Sequence, residues 1–248
     1  MTTPKIQTTA EQKLLERIAS FKRTTWLPVV EKRTGSVLTS KFSGIPLLDK
    51  NESWPQCAHC HQEMQLFVQL NAQELPAEAQ QAFGNGILQV FYCTNDEQEC
   101  ESECEAYFPF AVSTLLRIVD PATVVAKTLD VSPVIDAFEE KVIIAWQATD
   151  DYPNCEELEE LEIDLSDEEA EMLYEQDYPK TGDKLLGWPA WVQGIEYPEC
   201  PDCGDRMKFI FQIDSEDNLD YMFGDVGCAH ITQCEKHPER LAIAWACC

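Results

Sequence analysis

The phrases "WPQCAHC" at residues 54–60 and "YPECPDC" at residues 197–203 are nearly the same sequence written twice in one chain. Each places two cysteines on either side of a two-residue spacer, which forms a tight turn that can direct both sulfurs to one metal ion. A phrase that recurs in this way indicates an internal repeat, and the residues around it show how far the repeat extends.

The similarity continues on both sides of the two phrases. When the second half is aligned with the first at a shift of 143 residues, no gap is needed from Lys41 to Gln69, and beyond it the shift falls to 141. The identical pairs are Lys41 and Lys184, Gly44 and Gly187, Pro46 and Pro189, Cys57 and Cys200, Cys60 and Cys203, Met64 and Met207, Gln69 and Gln212, Gly86 and Gly227, and Cys93 and Cys234. The sequence therefore predicts an internally duplicated fold.

Segments rich in branched and aromatic residues, which favour strands, follow each cysteine pair. They lie at residues 64–71, 87–93, 110–119, 141–147, 207–214, 228–234 and 241–248. Helices are expected in "AEQKLLERIASFKR", with Thr9 as its cap, in "CEELEEL", and at about residues 167–177, where Ser166 and Glu169 fit a capping box. The predicted class is α+β, with mostly antiparallel sheet units.

Four segments follow from this pattern. Residues 1–40 are predicted to be an N-terminal helical segment, 41–148 the first repeat unit, 149–183 an acidic helical connector and 184–248 the second repeat unit. The connector is distinctive because it contains neither lysine nor arginine from Asp150 to Asp177. A run of charge like this is either a solvated face or a surface for a cationic partner.

The charge balance limits the partners that the chain can bind. A formal net charge of −27 opposes binding to nucleic acid or to a membrane with anionic lipids and favours a basic protein partner. The first residues carry no apolar run of signal-peptide length, so we expect a cytosolic protein. Thiols stay reduced there, and the chain's 12 cysteines therefore indicate metal binding or redox chemistry and not disulfides.

Zinc is the metal that these cysteines favour, because Zn²⁺ takes four sulfur or nitrogen ligands in a tetrahedron. The first predicted site is Cys57, Cys60, Cys93 and Cys104, with Cys100 as the alternative fourth ligand. The second is Cys200, Cys203, Cys234 and His237, with Cys247 or Cys248 as the alternative to the histidine. One or two structural ions are expected, since no position is left open for a catalytic water.

A thioredoxin-like dithiol is the competing interpretation of each cysteine pair. That chemistry needs the first cysteine at a helix N-terminus, where the dipole lowers the thiol pKa. The strand-like "MQLFVQL" follows the first pair instead, which favours the metal site.

The stretches "SKFSGIPLL", "GWPAWVQG" and "FGDVGCAHITQC" resemble the YwqG-like family of bacterial proteins, a domain of unknown function, over most of the chain from about residue 35. More distantly, the K-x-x-G-x-P turn and cysteine knuckle resemble programmed cell death protein two and its relatives, which escort a basic ribosomal protein. That second resemblance implies escort activity, but the inserted zinc finger domain that those proteins can carry is missing here.

Two function classes remain open from the sequence. One is a protein-binding or escort module whose acidic surface receives a basic client, and the other is a hydrolase or metal-dependent enzyme with a pocket between the repeats. No nucleophile elbow, phosphate loop or HExxH motif is present, which favours the module. Asp214 and Asp225 are the carboxylates with some catalytic interest, and we expect both to cap turns.

Overall fold

Every segment that the sequence predicts to be a strand contains one in the computed structural model, which describes residues 9–215 and 217–247. The strands are β1 (Arg23–Lys32), β2 (Lys41–Phe42), β3 (Gln65–Asn71), β4 (Ile87–Tyr92), β5 (Thr114–Val119), β6 (Lys141–Asp151), β7 (Lys184–Leu185), β8 (Lys208–Asp214), β9 (Cys228–Gln233) and β10 (Leu241–Ala246). They form one antiparallel sheet in the order β10-β9-β8-β7-β1-β6-β2-β3-β4-β5. The fold is thus mostly antiparallel β with few helices, as predicted.

The central strand β1 was not predicted, because the N-terminal 40 residues were interpreted as helical. Residues Arg23–Lys32 instead pair along their whole length with β6, and Trp26 pairs with Leu185 of β7. The segment contains Pro28, which ordinarily argues against a strand in the middle of a sheet. It lies beside a register shift between Val29 and Val30. The division into four segments stays a prediction.

Four helices flank the sheet in the described part of the chain: α1 (Thr9–Arg17), α2 (Cys100–Glu103), α3 (Cys155–Glu160) and α4 (Asp167–Glu175). Thr9, expected to be the cap of α1, is instead helical, and it is the first residue that the structure describes. The capping box of α4 is confirmed, because the Ser166 hydroxyl accepts from Glu169 N and the Glu169 carboxylate accepts from Ser166 N. None of these helices combines the length and the apolar sequence needed to cross a bilayer.

The acidic connector is packed against the N-terminal helix and is not a loose linker. Leu14 and Ile18, of α1 and the turn after it, form a buried cluster with Tyr152, Leu158 and Leu173. The apolar sides of α3 and α4 therefore face α1.

A buried ion pair lies beside the glycine in each of the two K-x-x-G turns. The side chains of Lys41 and Lys184 are fully buried, and their ammonium groups lie 2.9 Å from Glu140 and 3.2 Å from Asp151, respectively. Each carboxylate lies directly against the glycine three residues after the lysine.

Gly44 and Gly187 both have φ +84°, a backbone region that favours glycine. A Cβ at either position would lie 2.4 Å from an atom of the paired carboxylate, too close for any other residue. Gly86 also has positive φ, at +113°. Gly227 does not: it is required instead because a Cβ would lie 2.2 Å from the carbonyl oxygen of Ala246.

The strands β2–β5 and β7–β10 show the same local arrangement. Lys41 pairs with Gln69 across β2 and β3, and Lys184 pairs with Gln212 across β7 and β8. The two glutamine side chains each accept a hydrogen bond from the backbone six residues after the paired lysine, at Leu47 and Ala190. Equivalent register shifts follow in β3 and β8. Descent of the two halves from a duplication stays a prediction.

The sheet is nearly closed around an aromatic core. The backbone N–H of Trp245 in β10 donates to the Tyr107 carbonyl, 3.1 Å away, just before β5. Its indole N–H donates to the Tyr92 hydroxyl at 2.9 Å. Phe67 stacks on Tyr92 with ring centroids 4.8 Å apart, and Phe223 packs against both of these rings. The two end strands of the sheet therefore meet over one core.

The buried carboxylate of Asp151 provides a first test of the fold. Asp151→Ala is expected to lower the free energy of unfolding by about 3–5 kcal/mol, because it leaves the Lys184 ammonium buried without a partner. The adjacent Asp150 pairs with Lys22 in solvent, so Asp150→Ala should cost about 0–1 kcal/mol. Urea denaturation of both variants measures the difference, and equal losses would contradict this account.

A second test uses Asp183, which is fully enclosed. Burial, together with nearby Asp217, raises the pKa of Asp183 to about 8, against about 3.9 for an unfolded aspartate. The folded state therefore keeps a proton that the unfolded chain releases, and this contribution to stability is lost as pH rises from about 4 to about 8.

Asp183→Asn should remove this pH dependence, which has a slope of at most about 1.4 kcal/mol per pH unit. The measurement is the free energy of unfolding of both proteins across that pH range. The readout is the change of stability with pH and not the absolute stability. An asparagine has only one acceptor oxygen, so Asp183→Asn also loses a hydrogen bond from Asp214 N or Asn218 N at every pH. Parallel curves for the two proteins would show that Asp183 is not the group responsible.

Candidate metal centres

The first cysteine cluster forms where a knuckle, a strand end and a short helix meet. Cys57 and Cys60 lie in the knuckle before β3, Cys93 directly follows β4, and Cys100 begins α2. Their four sulfurs all lie within 4.8 Å of one another, and those of Cys60 and Cys93 are 3.6 Å apart. The knuckle is closed by backbone bonds from Cys57 N to Gln62 O and from Met64 N to Pro55 O.

The second cluster repeats this construction at the other end of the sheet. Cys200 and Cys203 lie in the knuckle before β8, Cys234 follows β9, and His237 lies three residues later. Their ligand atoms are again within 4.8 Å of one another. The sulfurs of Cys203 and Cys234 are 3.7 Å apart, and His237 Nδ1 is 3.6 Å from Cys200 Sγ and 3.8 Å from Cys234 Sγ.

These separations fit a tetrahedral ion and do not fit disulfides. Bonds of about 2.3 Å from a central Zn²⁺ to sulfur place the ligand atoms roughly 3.7 Å apart at tetrahedral angles. A disulfide needs its two sulfurs about 2.05 Å apart. Each group can therefore hold one metal ion, and with four protein ligands neither group reserves a position for a substrate.

One thiol in each cluster is prepared to ionise near neutral pH. Burial alone would raise the pKa of Cys60, but hydrogen bonds from the Gln62 backbone and the Asn95 side chain lower it to about 7. For Cys200 the opposing effects are burial and the backbone amides of Asp202 and Cys203, with the pKa again lowered to about 7. Because the thiolate is the metal-binding form, these amides favour metal uptake.

The fourth member of the first cluster is Cys100 and not Cys104, which the sequence analysis preferred. Cys104 caps the end of α2 one helical turn from Cys100, and its thiol interacts with Ser113. Residues four apart lie on the same side of a helix, so spacing could not distinguish them. The deciding feature is the tight turn at Glu99, with φ +45°, which begins the helix at Cys100.

In the second cluster the structure brings together all four predicted residues, including His237. The alternative Cys247 lies elsewhere, against Gly224, and Cys248 is outside the described residues. His59 and His61 are exposed beside the first knuckle and belong to neither cluster. Whether the eight clustered residues bind metal stays a prediction.

The two carboxylates of catalytic interest and two further cysteines belong to neither cluster. Asp214 accepts hydrogen bonds from Gly182 N and Ser215 N, as expected of a turn cap. Cys228 is a buried thiol in β9, and Cys155 is exposed at the start of α3. Asp225 lies in an exposed turn before β9.

A polar cavity that was not predicted from the sequence lies beside the first cluster. This cavity of about 810 Å³ is lined by Cys60 and by Asn95, whose side chain hydrogen-bonds to the Cys60 thiol. Its other walls come from distant segments that include Asp136 and Tyr221. The signal in the sequence was the acidic run "TNDEQECESE", which was considered only for its cysteine.

Replacement of single cysteines tests the assignment of the first cluster. Purified without chelator, the wild-type protein is expected to carry two equivalents of zinc and Cys100→Ser only one, because three ligands hold the ion weakly. Cys104→Ser is the matched control and should keep both ions and the wild-type unfolding temperature. Elemental analysis measures the metal. Loss of zinc from the Cys104 variant alone would reverse the assignment.

Comparison with known proteins identifies a family but no activity. A family model described as Domain of unknown function (DUF1963) matches residues 40–236. All seven cysteines of the two clusters lie within the match, and the eighth clustered residue, His237, lies just beyond it. The uncharacterized protein YpfL of Salmonella typhimurium (strain LT2) is 49% identical over 39 residues, 16% of this chain. That match spans only 9% of YpfL, well under two thirds of its length. The chain belongs to the DUF1963 family of domains of unknown function.

Proposed function

We propose that this protein is a cytosolic binding module in which two structural zinc ions fix the ends of the sheet and an acidic surface receives a basic protein. The observation that carries the proposal is the pair of four-ligand clusters, each complete within the chain. A complete ligand set suits a structural ion better than a catalytic one, because no open position remains for water.

Zinc is favoured over other metals by the types of ligand. Four thiolates in one cluster and three thiolates with an imidazole in the other are soft donors that select zinc over magnesium or calcium. Each cluster also adjoins a small apolar core of its own, which includes Trp54 and Phe91 at the first and Met207 and Ala242 at the second. Metal binding would therefore order the packing at both ends of the sheet.

The basic partner is supported by charge that the chain leaves uncompensated. Acidic residues number 45 against 18 lysines and arginines, and most of these cations already form ion pairs within the chain. A surface of one sign accelerates association with a partner of the other sign and weakens with salt.

The connector contributes fewer free charges than its sequence suggests. Glu157 is buried, and its carboxylate accepts from the Trp191 indole at 2.8 Å and from the Tyr197 hydroxyl at 2.7 Å. Glu160 is paired with Arg206. A client-facing surface on the connector would therefore use the exposed carboxylates of residues such as Glu159, Glu168 and Glu171.

The proposal includes the finer predictions made from the sequence. These are the duplication of the two halves, the four-segment division and membership of the YwqG-like group. The equivalent lysine, glycine and glutamine contacts of β2–β3 and β7–β8 support the duplication. The more distant likeness to programmed cell death protein two agrees with an escort role but does not identify the client.

One observation favours the alternative, a hydrolase or metal-dependent enzyme. The cavity beside Cys60 also contains Tyr221, from the segment between β8 and β9, and so lies between the two halves as such an enzyme would require. The first cluster would then have to exchange a protein ligand for substrate. A metal-dependent activity that Cys60→Ser abolishes would support this alternative.

Reversal of the exposed connector charges tests whether the connector receives the basic partner. A variant with Glu159→Lys, Glu168→Lys and Glu171→Lys should lose most partner capture and keep its unfolding temperature, because exposed charges contribute only about 0–1 kcal/mol per pair to stability. The measurement is a tagged pull-down at low and physiological salt, analysed by mass spectrometry.

The matched control carries Glu31→Lys, Glu78→Lys and Glu105→Lys, the same change of charge at exposed positions outside the connector. If the connector variant retains every wild-type partner at physiological salt, the connector is not the binding surface. If neither wild type nor control captures a basic protein, the binding function itself is wrong.

A further inference from the structure

The cavity beside the first cluster has a lining of one charge sign. Its lining includes Glu63, Asp96, Glu97, Asp136, Phe138 and Tyr221. Four of the lining residues are acidic, and none is lysine, arginine or histidine. The volume of about 810 Å³ is within the range of sites that enclose small ligands or single side chains.

None of the four carboxylates has a cationic partner within the described residues. The ion pairs of residues 9–215 and 217–247 involve other acids and leave out all four. Asp96 and Glu97 come from the turn before α2, whereas Asp136 comes from the loop before β6. Two separate segments therefore bring unpaired negative charge to one cavity.

Part of the cavity wall is aromatic or aliphatic. The rings of Phe138 and Tyr221 are 6.1 Å apart, and Tyr221 also packs at 4.9 Å from Phe67 in the core. The Tyr221 hydroxyl donates to Glu101, which fixes the position of the ring. At the rim, the side chain of Ile135 is 77% exposed although it is strongly apolar.

This combination fits an organic cation better than a metal ion. Aromatic rings attract a guanidinium or ammonium group, and an apolar rim suits the methylene chain that carries it. Within the described residues, the groups whose ligand atoms converge closely enough for one metal ion are the two cysteine clusters, and the cavity acids form no such group. A guanidinium is also the cation that best matches both carboxylates and aromatic faces.

We propose that this cavity binds an arginine side chain from a basic protein segment. The proposal rests on the basic partner inferred above and places a specific contact beside the first cluster, at a distance from the connector in sequence. The neighbouring Lys141 does not compete for the cavity, because its ammonium is held by Asp220.

Binding of a fluorescently labelled oligo-arginine peptide, measured by anisotropy on the full chain, tests the site. The cavity variant carries Asp96→Asn, Glu97→Gln and Asp136→Asn, which preserve side-chain shape. Asparagine tolerates the positive φ of +52° at residue 136. Loss of three nearby charges should weaken binding roughly tenfold. A citrulline peptide of equal length, which is neutral, should bind neither protein.

The matched control removes three charges elsewhere, through Glu31→Gln, Glu78→Gln and Glu105→Gln at exposed positions outside both the connector and the cavity, and should weaken peptide binding less than about twofold. A second pair of variants does not depend on the first. Ile135→Arg puts a competing guanidinium at the cavity rim, whereas Val131→Arg adds the same charge to an exposed residue of the same loop that does not line the cavity. Only Ile135→Arg should reduce peptide binding severalfold.

The outcomes separate this site from the wider function. If the wild type does not bind the oligo-arginine peptide, the basic partner and the arginine site are both wrong. If the wild type binds but the cavity and control variants lose affinity equally, charge alone drives binding and the cavity is not the site. If the cavity variant has a lowered unfolding temperature, the Ile135 and Val131 pair decides, and equal binding by that pair overturns the proposal.

Discussion

The contact between Lys184 and Asp151 holds the middle of the molecule together. Asp151 ends β6, and Lys184 begins β7 on the far side of β1. The same carboxylate accepts from the backbone of Trp188 and Lys180, so one buried group fixes the turn after β7 and the exit from the connector. Two opposite charges without solvent tolerate little displacement, which explains why glycine is required beside them at residue 187. Lys41 and Glu140 impose the same constraint on the other half of the sheet.

Much of this architecture could be predicted from the sequence, because strands and knuckles leave local signals. The branched and aromatic segments became strands, the capping box at Ser166 began a helix, and the alignment of Cys93 with Cys234 placed the third member of each cluster correctly. These features depend on residues close to one another in the chain or on the internal repeat. Local residue patterns and the internal repeat can both be recognised without knowledge of the tertiary structure.

Most of the differences between expectation and structure arise from contacts that are distant in sequence. β1 became a strand because β6 and β7 offer it partners more than 100 residues away, which overrides its proline and its helical neighbours. Cys100 entered the first cluster because of one backbone turn at Glu99, although Cys104 has the same helical phase. Glu157 belongs to the acidic run that was expected to face solvent or a partner, yet it is buried and accepts hydrogen bonds from Trp191 and Tyr197. The cavity is formed by segments whose proximity no local pattern records.

The central position of β1 has a consequence for the order in which the chain can fold. Arg23 pairs with Asp151, and Trp26 pairs with Leu185, so a ribosome must release most of the chain before this strand can acquire either neighbour. Pairing of strands so far apart in sequence is slow, because the entropy of closing a long loop is lost before the first hydrogen bond between the strands forms. The strands β2–β5 are contiguous in sequence and can assemble first. During synthesis β1 therefore stays unpaired until β6 and β7 have been made. Unpaired strand edges are prone to aggregation, so β1 is a segment of the nascent protein that needs protection.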